Sequence, residues 1–502
     1  MKALIVCFGL VPCLLLGQDI QRSVFDSLTR APLPFVTVAT NFGDNTITNE
    51  EGIFRLRHEK KFTATDSVFI SCMGFASYRE AIHKLPDSVV YLPPKSIALE
   101  GIILDQQNLT AEEIIQKATE GFGEKYELSL TKKDFFMRES YAQRWNRREM
   151  QIKKSSISTF NQRFWDSLLA TLPKQDAWHT ESAGTLYGGW SKKKQKLKLT
   201  RAVALADTLN ERGYEQIEAT IAEVLDKNVK ANSYFKIKSG IFSTKMDRDE
   251  IIDQENDSLP SLVEQGDDDQ GKKSPEEVFH KERKKELRAI ARFMNVDKDK
   301  LNIDMLTNAS RYAFELVNYI YLNDTPVYVI AFSPARKKAK FAGTAYIDAD
   351  RFALVQLEYK NTKDLRNFSL LGISFRLHSL TARIKFDRFG SEKYQLHYVE
   401  RKIKFNTGID RPLKIVEKNK FVRGRRKQNE LVATIDMQLA HESKKTLFIH
   451  ANAPLSTQAF ETLEAQTAFS PEKRNNFDPK FWEGYTIVEP NAGLRSFRTR
   501  QD

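Results

Sequence analysis

The sequence predicts a mainly β protein with α+β character: a small N-terminal β-sandwich, a helical connector and a C-terminal antiparallel curved sheet or half-barrel with helices. Three observations carry this. Residues 19–97 fall into short strands separated by Gly, Pro and Asn turns. Thr110 to Glu113 spells a helix start. Residues 311–405 form a succession of apolar-rich segments, each long enough for a full strand. The chain has 502 residues, 41% of them hydrophobic, with 33 Phe and 16 Tyr. That exceeds one ordinary core, so more than one domain is expected.

The elements follow in order. Residues 1–17, MKALIVCFGLVPCLLLG, place one Lys before an apolar run and a small residue before Gln18. This is signal-peptide layout, and the run is too short to span a bilayer. Pro12 ahead of Cys13 argues against lipid attachment there. No later stretch reaches the roughly 18 apolar residues of a spanning helix. Loss of the signal leaves Cys72 alone, so no internal disulfide forms. Cys72 stands in VFISCMGF, which reads as a buried thiol.

In the sandwich, PLPFVTV gives a strand that buries Val36 and Val38. Phe54 and Leu56 alternate with polar neighbours in the next. Between them Asn49-Glu50-Glu51-Gly52 turns the chain: Gly52 supplies the conformation a Cβ resists, and the two acids keep the turn in water. After residue 97 the capping box Thr110–Glu113 opens a helix with Ile114, Ile115, Ala118 and Phe122 on one face. Further helices are expected over 155–172 and 214–230, so residues 98–246 read as a helical or mixed connector. Residues 247–277 are charged, Gly- and Pro-containing and free of aromatics, as an acidic flexible linker is. An amphipathic helix at 278–294 begins the last domain, 278–502, with Val278, Phe279, Leu287, Ile290 and Phe293 toward its core. Strands then follow from Arg311 to Phe405 as an antiparallel meander.

The order PLPFVTV, TNEEGIFRL, DSVFISCMGF resembles the carboxypeptidase-regulatory-like domain that opens many exported proteins of Bacteroidetes type. The resemblance covers residues 19–97 and implies a transthyretin-like sandwich and a place in the periplasm or at the outer membrane. It implies no peptidase activity. FDPKFWEGYTIVEPN is similar to the closing segment of related exported proteins. YVIAFSP, FAGTAYID and ALVQLE also resemble the lipoprotein-carrier folds of the bacterial envelope.

Catalytic constellations were weighed in turn. Gly266 to Lys273 has the Gly and Lys spacing of a phosphate loop, but three Asp and a second Lys spoil it for a nucleotide. His397 and Glu400, with His441 or His450, supply the letters of a zinc site, yet three-residue spacing on a strand sends the first two to opposite faces. Asp297, Asp299 and Asn302 begin like a calcium loop but lack its Gly and final Glu. No nucleophile elbow occurs. The expectation is therefore no catalysis, no cofactor and no metal. The net charge of +12 is spread along the chain, and export argues against nucleic acid.

The sequence thus points to a binding or scaffolding module that does not span the membrane, with an envelope protein or a glycan as partner. The first contact candidates are the turns at 41–52 and 73–78, above all Asn41, Asp44, Asn49, Glu50, Glu51 and Gly52. The alternative is a carrier that holds a lipid or other apolar molecule against the curved sheet, lined by Phe314, Tyr328, Ile330 and Tyr346. A hydrolase is the remaining alternative.

Overall fold

A computed structural model describes residues 18–58, 61–97, 109–190, 195–206, 208–240, 242–247, 274–294, 301–322, 325–388, 391–421 and 426–497. The N-terminal strands are β1 (Gln18–Asp26), β2 (Thr37–Thr40), β3 (Asn45–Ile47), β4 (Ile53–His58), β5 (Ser67–Ser71), β6 (Tyr78–Ala81) and β7 (Val89–Leu92). They pair as two sheets, β4-β1-β7 and β3-β2-β5-β6, around one apolar cluster. Val36, Val38, Phe54 and Leu56 are buried there, as their alternation requires. Gly52 has φ +75°, and a Cβ on it would sit 2.6 Å from the Val24 carbonyl oxygen. Cys72 packs against this core, and desolvation pushes its thiol up to about 11.

The remaining strands are β8 (Ser96–Ile97), β9 (Thr131–Ser155), β10 (Gln175–Gly188), β11 (Gln195–Ala206), β12 (Ser233–Ser239), β13 (Phe242–Asp247), β14 (Tyr312–Leu322) and β15 (Thr325–Pro334). Then come β16 (Phe341–Asp348), β17 (Leu354–Asn361), β18 (Arg366–Leu370), β19 (Ile373–Asp387), β20 (Gln395–Asn419), β21 (Lys427–Pro454) and β22 (Glu472–Arg474). All belong to one open sheet, in the order β22-β11-β10-β9-β21-β20-β19-β17-β16-β15-β14-β8; β12 adds to β20 and β18 to β19. The expected meander from 311 to 405 is present. The stretch 98–246 differs from a connector. It contributes β9, β10 and β11, and β9 pairs with β21 from Thr131 to Ser155, so it shares a core with 278–502. The long strand escaped notice because its second half carries charged residues on both faces.

Helices cover one face of this sheet. α1 (Ala111–Thr119) opens with the expected capping box: Thr110 Oγ1 accepts from the Glu113 amide, and the Glu113 carboxylate accepts from the Thr110 amide. It buries Ile114, Ile115 and Ala118, and the turn α2 (Phe122–Lys125) adds Phe122. α3 (Gln162–Thr171) and α4 (Thr208–Asn228) follow. α5 (Pro275–Ile290) starts in a second capping box, Ser274 with Glu277, and buries His280, Arg283, Leu287 and Ile290. Val278, expected in its core face, is instead exposed, because the helix turns His280 and Arg283 to the sheet. α6 (Asp304–Thr307) is the last to cover this face; two short helices, α7 (Thr457–Thr462) and α8 (Ala492–Arg495), follow in the tail.

Consecutive strand residues serve opposite faces. Phe135, Met137, Leu447 and Ile449 pack under α1, α5 and α6. Phe136 and Phe448 point the other way, to a second cluster with Tyr398, Phe481, Trp482 and, from the sandwich, Phe35 and Ile47. Tyr328 and Ile330 are core residues of the first cluster, with Phe314 and Tyr346 packed against it. Tyr328 and Ile330 therefore hold the helices to the sheet, with Phe314 beside them, whereas Tyr346, paired with Val329, turns to the sandwich side near Arg383 and Cys72.

Phe448→Ala should lower stability by about 3–5 kcal/mol through the cavity it leaves. Phe368→Ala, at an exposed edge, should change it by about 0.5 kcal/mol or less. Urea unfolding midpoints of the two variants check both values.

Candidate functional site

The sandwich sits on the face opposite the helices. Phe35 anchors it with φ +60°, its ring 5.4 Å from that of Tyr398 and 3.9 Å from the Arg383 guanidinium carbon. Lys385 donates to the Phe35 carbonyl oxygen at 2.5 Å, and burial holds its amine below the usual lysine range. The C-terminal segment fills the remaining space. Glu181, fully buried, accepts from Arg138 Nε at 2.5 Å and from Trp482 Nε1 at 2.6 Å. Arg138 also donates to the Val488 carbonyl oxygen at 2.9 Å.

The turn singled out in the sequence is engaged within the chain. Asn49 accepts from the amides of Glu51 and Ile53, both at 2.9 Å, and donates to the Pro490 carbonyl oxygen at 3.1 Å. Glu50 pairs with Lys444 and accepts from Asn491 at 3.0 Å. Glu51 pairs with Arg495 and accepts from the Ala492 amide at 2.6 Å. The acids stay partly in water but are not free, because lysine and arginine of the sheet and tail pair with them. Asn41 and Asp44 lie at the neighbouring hairpin end, where Asn41 bonds to Thr65 and Ser67. A cleft of about 410 Å³ remains between turn, sheet and tail, lined by Glu50, His179, Tyr398, Glu400, Lys402 and Lys444.

A second opening lies on the helix face and was not foreseen. α1, α5 and α6 cover one end of the sheet, while α3 and α4 pack over its far end against Met150, Leu431 and Ala433. Between them the sheet is bare. A groove of about 340 Å³ there is lined by Glu139, Tyr141, Trp178, Arg283, Arg401 and Phe405, among others. Trp178, Tyr141 and Phe405 on its floor belong to a line of ring contacts that runs across six adjacent strands and on beyond the groove. Trp178 stacks on Tyr141 at 4.3 Å, and Tyr141 meets His441 at 5.8 Å. His441 stacks on Phe405 at 4.4 Å; Phe375 follows at 5.6 Å and Phe368 at 6.0 Å. The register explains the alignment: Trp178 pairs with Tyr141, His441 with Phe405 and Phe368 with Phe375. Five strand spacings make this stripe roughly 24 Å long.

Charges rim the groove. Arg283 binds Glu139 at 2.7 Å, and Lys445 binds Glu286. Arg401 reaches the Ala289 carbonyl oxygen at 3.5 Å, while its Nε is buried without a partner among the described residues. Burial lowers its guanidinium from the usual arginine range. His441 is fixed on both nitrogens, Nδ1 to the Tyr141 hydroxyl at 2.5 Å and Nε2 to the Thr407 hydroxyl at 2.8 Å.

The residues weighed for metal are placed as follows. His397 and His450 both pack on the Phe448 ring, at 5.3 and 6.0 Å. Glu400 turns instead to Tyr398 and Lys444, both at 3.1 Å. His441 lies in the line of rings, beside a neighbouring cleft that it shares with Gln143 and Asn406. Among the described residues no three His, Cys, Asp or Glu side chains gather as a metal site would need. Gly266 to Lys273, Asp297 and Asp299 lie outside the described residues.

No family model matches the chain, and no curated protein matches it. Among solved structures, the crystal structure of MucB in complex with MucA(peri) aligns with 72% of this chain and 99% of that chain, at 8% identity and a TM-score of 0.17. A likeness that loose carries no argument about fold or function.

Two predictions follow from these contacts. Glu181→Gln leaves the Arg138 guanidinium without its buried counter-charge and should cost about 3–5 kcal/mol in urea unfolding. The second concerns pH. Burial holds His179, His397, His441 and His450 down to about 4. The unfolded chain titrates them near 6.5, roughly, so between those values it binds protons that the folded chain refuses. Their contribution is fully present above about pH 6.5 and is lost as pH falls toward 4. The thermal midpoint should drop over that window, and His441→Gln should flatten the drop.

Proposed function

We propose that this protein is a non-catalytic, exported binding module of the bacterial envelope whose working surface is the aromatic groove. The observation that supports it is the six-ring stripe. Half-exposed aromatic side chains aligned across a sheet present a large, rigid contact area at low entropic cost, as interface anchors do. The strip is rimmed by Arg283, Arg401 and Lys445. A partner protein's segment with apolar side chains and a carboxylate fits this chemistry. Export rests on the N-terminal 17 residues, and the envelope on the resemblance of residues 19–97. The sandwich serves as a fixed brace, since its turn is spent on the chain's own sheet and tail.

A second reading, a carrier of an apolar molecule, draws on the same stripe rather than on Phe314, Tyr328, Ile330 and Tyr346. Native mass spectrometry of the mature protein from its own host's envelope separates the two. A polypeptide that stays bound to the wild type and to Glu51→Gln, but not to Trp178→Ala, is the expected result. The loss at Trp178 should be about 2 kcal/mol or more, roughly thirtyfold in Kd. A lipid-sized adduct lost from Trp178→Ala would give the site to the carrier. Retention by Trp178→Ala with loss from Glu51→Gln would overturn the groove and return the turn.

A further inference from the structure

The stripe ends at an edge with an unusual composition. β18 and β19 form a hairpin in which Leu370 pairs with Ile373, leaving Leu371-Gly372 as a two-residue turn. Both turn residues have positive φ, 50° and 78°. Such turns favour Asn-Gly, because Asn enters the left-handed region more easily than a bulky side chain. Here a leucine takes the place of the polar residue, and it is 49% exposed. Leu370 beside it is 67% exposed, and Phe368 and Ile373 are exposed too. The neighbouring hairpin β12–β13 brings a further bare ring, Phe242, to the same place: Arg411 lies against both turn glycines and under that ring. Five large apolar side chains thus face solvent together.

The surroundings are mainly basic, the exposed Asp410 bonded to Gly372 being the acid at the tip itself. The turn Arg336-Lys337-Lys338-Ala339-Lys340 abuts the base of the hairpin, where the Thr362 amide donates to the Lys340 carbonyl oxygen at 2.8 Å. Lys340 donates to the Leu365 carbonyl oxygen at 3.1 Å, and Lys363 to that of Lys337. From Tyr359 to Arg376 the chain carries four cations and one acid, Asp364, which bonds Arg376. The β12–β13 hairpin adds the exposed Lys238 and Lys245.

We propose that this edge docks onto an anionic lipid bilayer. An apolar tip between basic flanks is complementary to such a surface twice over: leucine and phenylalanine enter the acyl boundary, and lysine and arginine stay among the phosphates. No described helix is long and apolar enough to cross a membrane. The proposed contact is peripheral.

The test is co-sedimentation of the mature protein, from Gln18 onward, with phosphatidylcholine vesicles and with vesicles that also contain phosphatidylglycerol. Binding is expected to the second and weakly to the first, and it should fall steeply as salt is raised. Leu371→Asn is the decisive variant. Asn suits the left-handed turn, so the thermal midpoint should hold or rise while vesicle binding falls about tenfold. Lys337→Glu with Lys338→Glu should remove the preference for anionic vesicles. Failure of the wild type to bind anionic vesicles would overturn the proposal. So would binding untouched by Leu371→Asn, or a concentration-dependent dimer that Leu371→Asn abolishes. These variants leave Trp178 and Tyr141 in place, so this proposal and the groove fail separately.

Discussion

Everything in this fold depends on a sheet that is apolar on both faces at one end. Phe135, Phe136 and Met137 run consecutively along β9, and Leu447, Phe448 and Ile449 along β21. Strand residues alternate sides, so an unbroken apolar run commits both faces to burial. Each large side chain covered is worth about 1.5–3 kcal/mol. α1, α5 and α6 meet the demand on one side. On the other, the N-terminal sandwich and the C-terminal tail, with its short helix at Ala492–Arg495, meet it together.

That division explains why the sandwich is a brace. Its ion pairs, Glu50 with Lys444 and Glu51 with Arg495, are partly exposed, and such pairs contribute about 0–1 kcal/mol each. They set orientation rather than strength. Strength comes from Phe35 and Ile47 in the shared core and from the buried Glu181, which ties β10 to β9 and to the tail. Phe35 holds a left-handed backbone, a conformation costing about 1–2 kcal/mol for such a residue. It persists because the Tyr398 ring, the Arg383 guanidinium and the Lys385 amine fix it from three sides.

Much of this was legible locally. The sandwich strands, the glycine at 52 and the capping box at 110 are short-range signals, and alternation or a single turn suffices to read them. The strands from 312 to 387 were legible for the same reason. β9 was not: MRESYAQRWNRREMQIKK carries no clean alternation, since half of it lies beyond the apolar covers. Its pairing with β21, some 300 residues away, is invisible to any local window. The aromatic stripe was hidden likewise. Each of its six strands contributes one ring, and only the register aligns them. Glu50 and Glu51 illustrate the converse: they read as solvated because their partners, Lys444 and Arg495, are remote in sequence.

The long strands also show where function has room. β9 has 25 residues and β21 has 28, several times the usual strand of about 5–6. The apolar covers occupy only the ends of the helix face. Between them a sheet built for solubility alone would present Thr, Lys and Glu, as Lys402, Lys404 and Glu442 do on the opposite side. It presents Trp178, Tyr141, His441, Phe405 and Phe375 instead, and at the open edge Phe368, Leu370 and Leu371. The fold's own core covers those side chains only in part. Their exposure is a standing cost in hydration, and an external surface that covers them is the physical reason for bearing it.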